Sequence, residues 1–206
     1  MRRRLLVSRM KRAIVCIALS LTLLVSAGVE ASVPISEKDL AKVSLVRLDR
    51  ETKLKFQATS DEGFVLVAIQ DCVIQINGTS TSLKTGDYKT VSGKRGLEIA
   101  QSGLITIPLV LVEVVSARQP LTIEATTLAP NQELEDASDR NSTLLVAIAP
   151  LRLRDVSDLA EEGAPWKASP QRKIELQKGQ TAWLKEGMHR VRNMGNSAAR
   201  FIIIEW

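Results

Sequence analysis

Residues 174 to 206 read Ile174-Glu-Leu-Gln-Lys-Gly179-Gln-Thr181-Ala-Trp183-Leu-Lys-Glu-Gly187-Met-His189-Arg-Val-Arg-Asn193-Met-Gly195-Asn-Ser-Ala-Ala-Arg200-Phe-Ile-Ile-Ile-Glu-Trp206. Short runs of alternating apolar and polar residues are separated by glycines, which is the period of β-strands and not of helices. The chain's single histidine, His189, falls on one such run. Side chains 189, 191 and 193 share a face there, and Val191 marks that face as the inward one. His189 and Asn193 are then buried polar groups that need partners, either each other or an enclosed water. A core histidine satisfied by hydrogen bonds is the first reading, and a ligand contact the second. His189, Asn193 and Trp183 form the candidate ligand-binding set, although Trp183 and Trp206 read first as core packing.

The same pattern extends upstream and makes the chain all-β. Strands are expected at Val43 to Leu48, Lys53 to Ala58, Phe64 to Ile69, Cys72 to Ile76, Leu97 to Ala100 and Leu104 to Val115. A second series covers Leu121 to Thr127, Thr143 to Ile148, Leu151 to Arg154, Lys173 to Leu176, Thr181 to Leu184, His189 to Asn193 and Arg200 to Trp206. Asn77-Gly78 is a tight-hairpin signal, because both central residues of that turn need positive φ. A short helix is expected at Ser36 to Lys42. Leu109 to Val115 is apolar almost throughout, and two uses stay open for it: joining two halves of one chain, or pairing two copies into a homodimer.

The two series repeat each other. Leu66-Val67-Ala68-Ile69 recurs as Leu145-Val146-Ala147-Ile148, Leu83-Lys-Thr-Gly86 as Leu176-Gln-Lys-Gly179, and Val110-Leu-Val-Glu113 as Ile202-Ile-Ile-Glu205. The offset grows from 79 to 93 and 92 residues, so the second copy carries an insertion of about fourteen, placed at Asp155 to Pro170 as an exposed loop with Trp166 within it. The expected organisation is a leader over 1–31, one barrel over 32–116 and a second over 117–206.

The leader follows from Arg2, Arg3, Arg4, Arg9, Lys11 and Arg12, then the apolar run Ala13 to Val25, then small residues. Cleavage is expected after Ala27 or Ala31, giving an exported, periplasmic or secreted chain with no lasting membrane anchor. Removing those six bases and Glu30 from 28 basic and 23 acidic residues leaves 22 of each sign. The basic pI of 9.4 therefore belongs to the leader, and nucleic acid is not an expected partner. Residues 133 to 162 are acid-rich and 167 to 200 base-rich, read as solvated faces able to meet each other. Cys16 lies inside the leader's apolar run, and Cys72 beside Ile74 and Ile76 reads as a buried, inert thiol.

Gly179, Gly187, His189 and Asn193, followed by Gly195 and Ala199-Arg200-Phe201, resemble the second motif of the cupin superfamily. Lys185 stands where proline is usual, and one residue is missing between Gly187 and His189. The first copy keeps Gly86 and Ser92-Gly93 but has Leu97 near the histidine position. The resemblance implies tandem jelly-roll β-barrels, a bicupin, over about residues 43 to 206.

Active cupins, by that resemblance, hold a divalent metal on two histidines and a carboxylate of a first motif plus the second-motif histidine. The matching stretch, Pro130 to Thr143, contains no histidine. Two readings follow. A solvated acidic loop leaves the barrel without metal or cofactor. Alternatively, Glu135 and Asp139, among the loop carboxylates, join His189 in an oxygen-rich site for Mn, Fe or Ca. The sequence favours an exported, non-catalytic binding or structural module with a degenerate metal site, taking a small molecule in the second barrel or a protein partner. The alternatives are a metal-dependent oxygenase or isomerase, and a protein interaction module using the acidic and basic faces. No nucleophile motif or phosphate loop is present.

Overall fold

The computed structural model describes residues 33–37, 39–101, 103–117, 120–136, 142–158, 171–184 and 188–206. The first strands are β1 (Val33–Glu37), β2 (Ala41–Leu48), β3 (Lys53–Phe56), β4 (Gly63–Ala68), β5 (Cys72–Ile76), β6 (Thr79–Leu83), β7 (Tyr88–Val91), β8 (Leu97–Ala100) and β9 (Ile107–Val114). They are followed by β10 (Thr122–Leu128), β11 (Glu133–Asp136), β12 (Thr143–Ala147), β13 (Leu151–Asp158), β14 (Arg172–Leu176), β15 (Thr181–Leu184), β16 (Met188–Asn193) and β17 (Ala199–Glu205).

These strands form two halves, each a pair of sheets. The order β2-β9-β4-β7 in the first half matches β10-β17-β12-β15 in the second, and β3-β8-β5-β6 matches β11-β16-β13-β14. β1 adds an edge strand beside β2. Both halves are antiparallel throughout their described pairings, so alternate residues of each strand face opposite sides.

That alternation builds three cores. Phe64, Leu66, Ile74, Leu97, Ile99, Leu109 and their neighbours fill the first half. Leu128, Leu145, Leu153, Ile174, Leu184, Val191 and Phe201 fill the second. Between them, Val65, Val67, Val110 and Val112 meet Leu144, Val146, Ile202 and Ile204. β9 therefore buries Leu109 and Leu111 on one side and Val110, Val112 and Val114 on the other. It joins the halves, and because β2 and β4 take both its edges it offers no free edge for pairing a second copy.

The repeated glycines sit at this junction. Gly86 and Gly179 both have positive φ, and their N–H groups donate to Ala68 and Ala147, the equivalent alanines of the two repeats. Gly86 approaches Ile148 and Arg200 of the second half, whereas Gly179 approaches Ile69 and Leu45 of the first. The expected Asn77-Gly78 turn is present with φ of 49° and 79°.

Four expectations are corrected. The described residues of 36–42 do not form a helix: Ala41 and Val43 continue the buried alternation of β2 toward the N-terminus, and β1 pairs with it. The strand expected from Leu104 begins at Ile107, because Leu104 and Ile105 point to solvent. The acidic stretch after Pro130 is not all loop, since Leu134 packs on the second core and makes Glu133–Asp136 a strand against β16. The insertion does not start at Asp155: β13 continues to Asp158, pairing with β16 throughout. The leader and residues 159–170, with Trp166, lie outside the described residues.

Candidate functional site

The inward face of the β11-β16-β13-β14 sheet holds the candidate site. His189 on β16 is buried there, as expected from its alternation with Val191. One hydrogen-bond partner of His189 is Asp155. In register Asp155 stands opposite Val191, which makes His189 its diagonal neighbour across β13 and β16. His189 Nδ1 lies 2.8 Å from Asp155 Oδ1, and the two side chains are only 1% and 5% exposed. A carboxylate accepts hydrogen bonds, so this contact puts a proton on Nδ1 and orients the ring. In such a buried pair each member offsets part of the other's desolvation.

Asp155 lies beyond the strand expected over Leu151 to Arg154, although Leu151, Leu153 and Asp155 keep one two-residue period.

Asn193 faces inward four residues further along β16, and it does not bond to His189. Its Nδ2 donates to the carbonyls of Leu128 at 3.0 Å and Ser197 at 2.8 Å, while its Oδ1 accepts from the Gly195 N–H at 2.8 Å. Asn193 thus ties the end of β10 to the turn before β17. In the first half Gln101 does the same work, donating from Nε2 to Leu48 and Ile105. An open cleft of about 310 Å³ adjoins Asn193, bounded by Arg152, Glu175, Gln177 and Met194.

Trp183 is not part of this constellation. Ala182 and Leu184 point into the second core, so Trp183 faces the other way and packs on the core between the halves, with its ring centroid 5.1 Å from that of Trp206. The backbone of Glu135 stands in register with that of Arg190, and its side chain lies outside the described residues. Asp139 lies outside the described residues. Among the described residues, no group of three or more His, Cys, Asp or Glu side chains is placed to hold a metal ion. Among the described residues the site shows two metal-type donors, His189 and Asp155, fewer than the three or four protein ligands of a metal centre. Cys72 is buried, and that burial pushes its thiol pKa up, with Asp71 and Asp87 adding to the effect.

The repeat explains what is special about the pair. Matching strand registers place Leu97 and Ile76 of the first half where His189 and Asp155 stand in the second. Both are buried and apolar. The same scaffold therefore closes without polar groups at these positions.

No family model and no curated protein matches the sequence. Solved structures do match the fold. A cupin 2 conserved barrel domain protein from Leptotrichia buccalis is 11% identical with a TM-score of 0.53, covering 88% of this chain and 91% of its own. An oxalate decarboxylase variant from Bacillus subtilis is 12% identical with a TM-score of 0.56, over 84% of this chain and 71% of that one. A salicylate 1,2-dioxygenase variant from Pseudoaminobacter salicylatoxidans is 7% identical with a TM-score of 0.58, over 82% and 72%. These likenesses show the cupin superfamily fold, with two jelly-roll halves, and at such identities they carry the fold alone.

Proposed function

We propose that this bicupin-fold chain is a non-catalytic binding or structural module that works outside the cytoplasm, at the cell envelope or beyond it. One observation carries the reading: the inward histidine of the second barrel is engaged by Asp155 in a barrel filled by apolar side chains. A catalytic metal site needs several ligands converging at about 2 Å and an open position. The chain has a single histidine, so carboxylates would have to supply nearly all of them. The export part rests on the basic and apolar segments before Ala31.

A second reading is a metal-dependent oxygenase or isomerase, and the same contact favours it in one respect. Histidines that bind metals commonly give their other ring N–H to a carboxylate, as His189 Nδ1 does to Asp155.

Elemental analysis of the natively purified protein separates the two. The expected result is no stoichiometric Mn, Fe, Ni or Zn; a stoichiometric metal that disappears in His189→Ala overturns the module reading. N-terminal sequencing of the exported chain should start at Gly28 or Ser32. An intact Met1 in the membrane fraction would overturn the export part alone.

A further inference from the structure

The outer face of the β11-β16-β13-β14 sheet carries a row of cations. Lys173 of β14 stands opposite Arg154 of β13, and Arg154 stands opposite Arg192 of β16. Neighbouring strands lie roughly 4.8 Å apart, so the three residues follow one another directly across the sheet. They sit on the side away from Leu153, Ile174 and Val191, which fill the barrel. Arg152 and Arg190, two residues away on β13 and β16, share that face. Glu133 pairs with Arg192 at 3.5 Å and Glu175 with Arg152 at 3.7 Å. Among the described residues Arg154 and Lys173 have no ion-pair partner, and Arg192 Nε is buried with no hydrogen-bond partner.

Like charges directly opposite on neighbouring strands destabilise a sheet. The first half shows that the fold does not need them. In its matching sheet the same row is Ser80, Gln75 and Ala100, without a charge. Glu98 occupies the place of Arg190 there, and Lys53 followed by Lys55 holds its carboxyl below the usual carboxylate range. The row is thus uncharged on the first face, where Lys53 and Lys55 share Glu98, and cationic on the second.

We propose that this face is a binding surface for an anionic polysaccharide, engaged by Arg154, Lys173 and Arg192. Guanidinium forks match carboxylates in pairs of parallel hydrogen bonds. Cations spaced by roughly 4.8 Å across the strands and about 6.8 Å along them suit a polymer that repeats its charge, because several weak contacts then act together. Nucleic acid fits less well. Arg154 and Arg192 stand on the two middle strands of the sheet, which do not enter a groove, and the row has no aromatic side chain on which bases would stack. The proposal deepens the binding-module reading but uses the sheet face opposite to His189, so metal content at His189 and binding at this face fail independently.

The test replaces the row by its first-half counterpart in the full chain, as Arg154→Gln with Lys173→Ser, and as Arg154→Gln alone. Polygalacturonate and heparin are the probes, titrated at low salt where exposed charges are least screened. Binding of the unaltered chain to either probe, weakened roughly tenfold in the double variant and less in the single one, with thermal unfolding no earlier than in the unaltered chain, is the expected outcome. Lys53→Gln with Lys55→Gln, on the first half, should leave binding unchanged. The proposal is overturned if neither probe binds, if the row variants bind as the unaltered chain does, or if the first-half variant loses as much. Tighter binding to phosphatidylglycerol vesicles or to single-stranded DNA than to both probes would also overturn it.

Discussion

His189 and Asp155 form a buried hydrogen-bonded pair across β16 and β13, at 2.8 Å, in a barrel whose twin holds Leu97 and Ile76 at the same two places. The repeat thus contains its own control: one half closes with a polar pair and the other with an apolar one.

Removing one member of the pair should cost more than removing both. His189→Leu or Asp155→Ile alone removes this contact from a buried polar group and is expected to destabilise the fold by about 2 to 4 kcal/mol. The double variant copies the first half and should cost less than either single one, which requires a coupling of more than about 2 kcal/mol. Urea unfolding of the four proteins in the cycle measures it. Additive losses would mean that the pair contributes nothing as a pair.

The two junction glycines should differ in cost although their conformations match. Gly86→Ala places a Cβ 3.7 Å from its nearest neighbour, so only the positive φ opposes it, at about 1 kcal/mol. Gly179→Ala brings a Cβ within 2.9 Å of Ile69 Cδ1 and 3.2 Å of Leu45 Cδ1 inside the core between the halves, which adds about 1 to 2 kcal/mol of overpacking. Denaturant midpoints of the two variants should fall in that order, and equal midpoints would contradict the tight approach at Gly179.

Asp71 should contribute to the acid limb of stability. The Thr85 N–H and hydroxyl, with the Lys84 ammonium, hold its pKa at about 2, below the ordinary 3.8. A carboxyl depressed in the folded state stabilises the fold above its unfolded pKa, and that contribution is lost as pH falls toward the folded value. Stability of the unaltered chain should therefore drop through pH 3.8 to 2, and Asp71→Asn should flatten that limb while being less stable at neutral pH. Thermal unfolding across this pH range checks the slope; identical slopes would show that the contacts with Thr85 and Lys84 do not persist in solution.

Local chemistry made much of this fold legible without coordinates. The Asn77-Gly78 turn, the two-residue period of most strands and the Leu-Val-Ala-Ile repeat are short-range signals, and each determined an element or its copy by itself. The all-apolar stretch of β9 likewise announced burial on both sides. The inward direction of His189 needed no more than its alternation with Val191. What only the tertiary structure decided is which distant strands lie side by side and in what register. Asp155 became a partner of His189 across 34 residues of sequence, and Asn193 found Leu128 across 65. Lys173, Arg154 and Arg192 became a row because β14, β13 and β16 are neighbours. Trp183 left the candidate site for the same reason, since its strand belongs to the sheet that faces the other half. A strand's period says which side chains share a face, but the neighbour across a sheet is chosen by packing of the whole core, and that choice is not written in any short stretch of the chain.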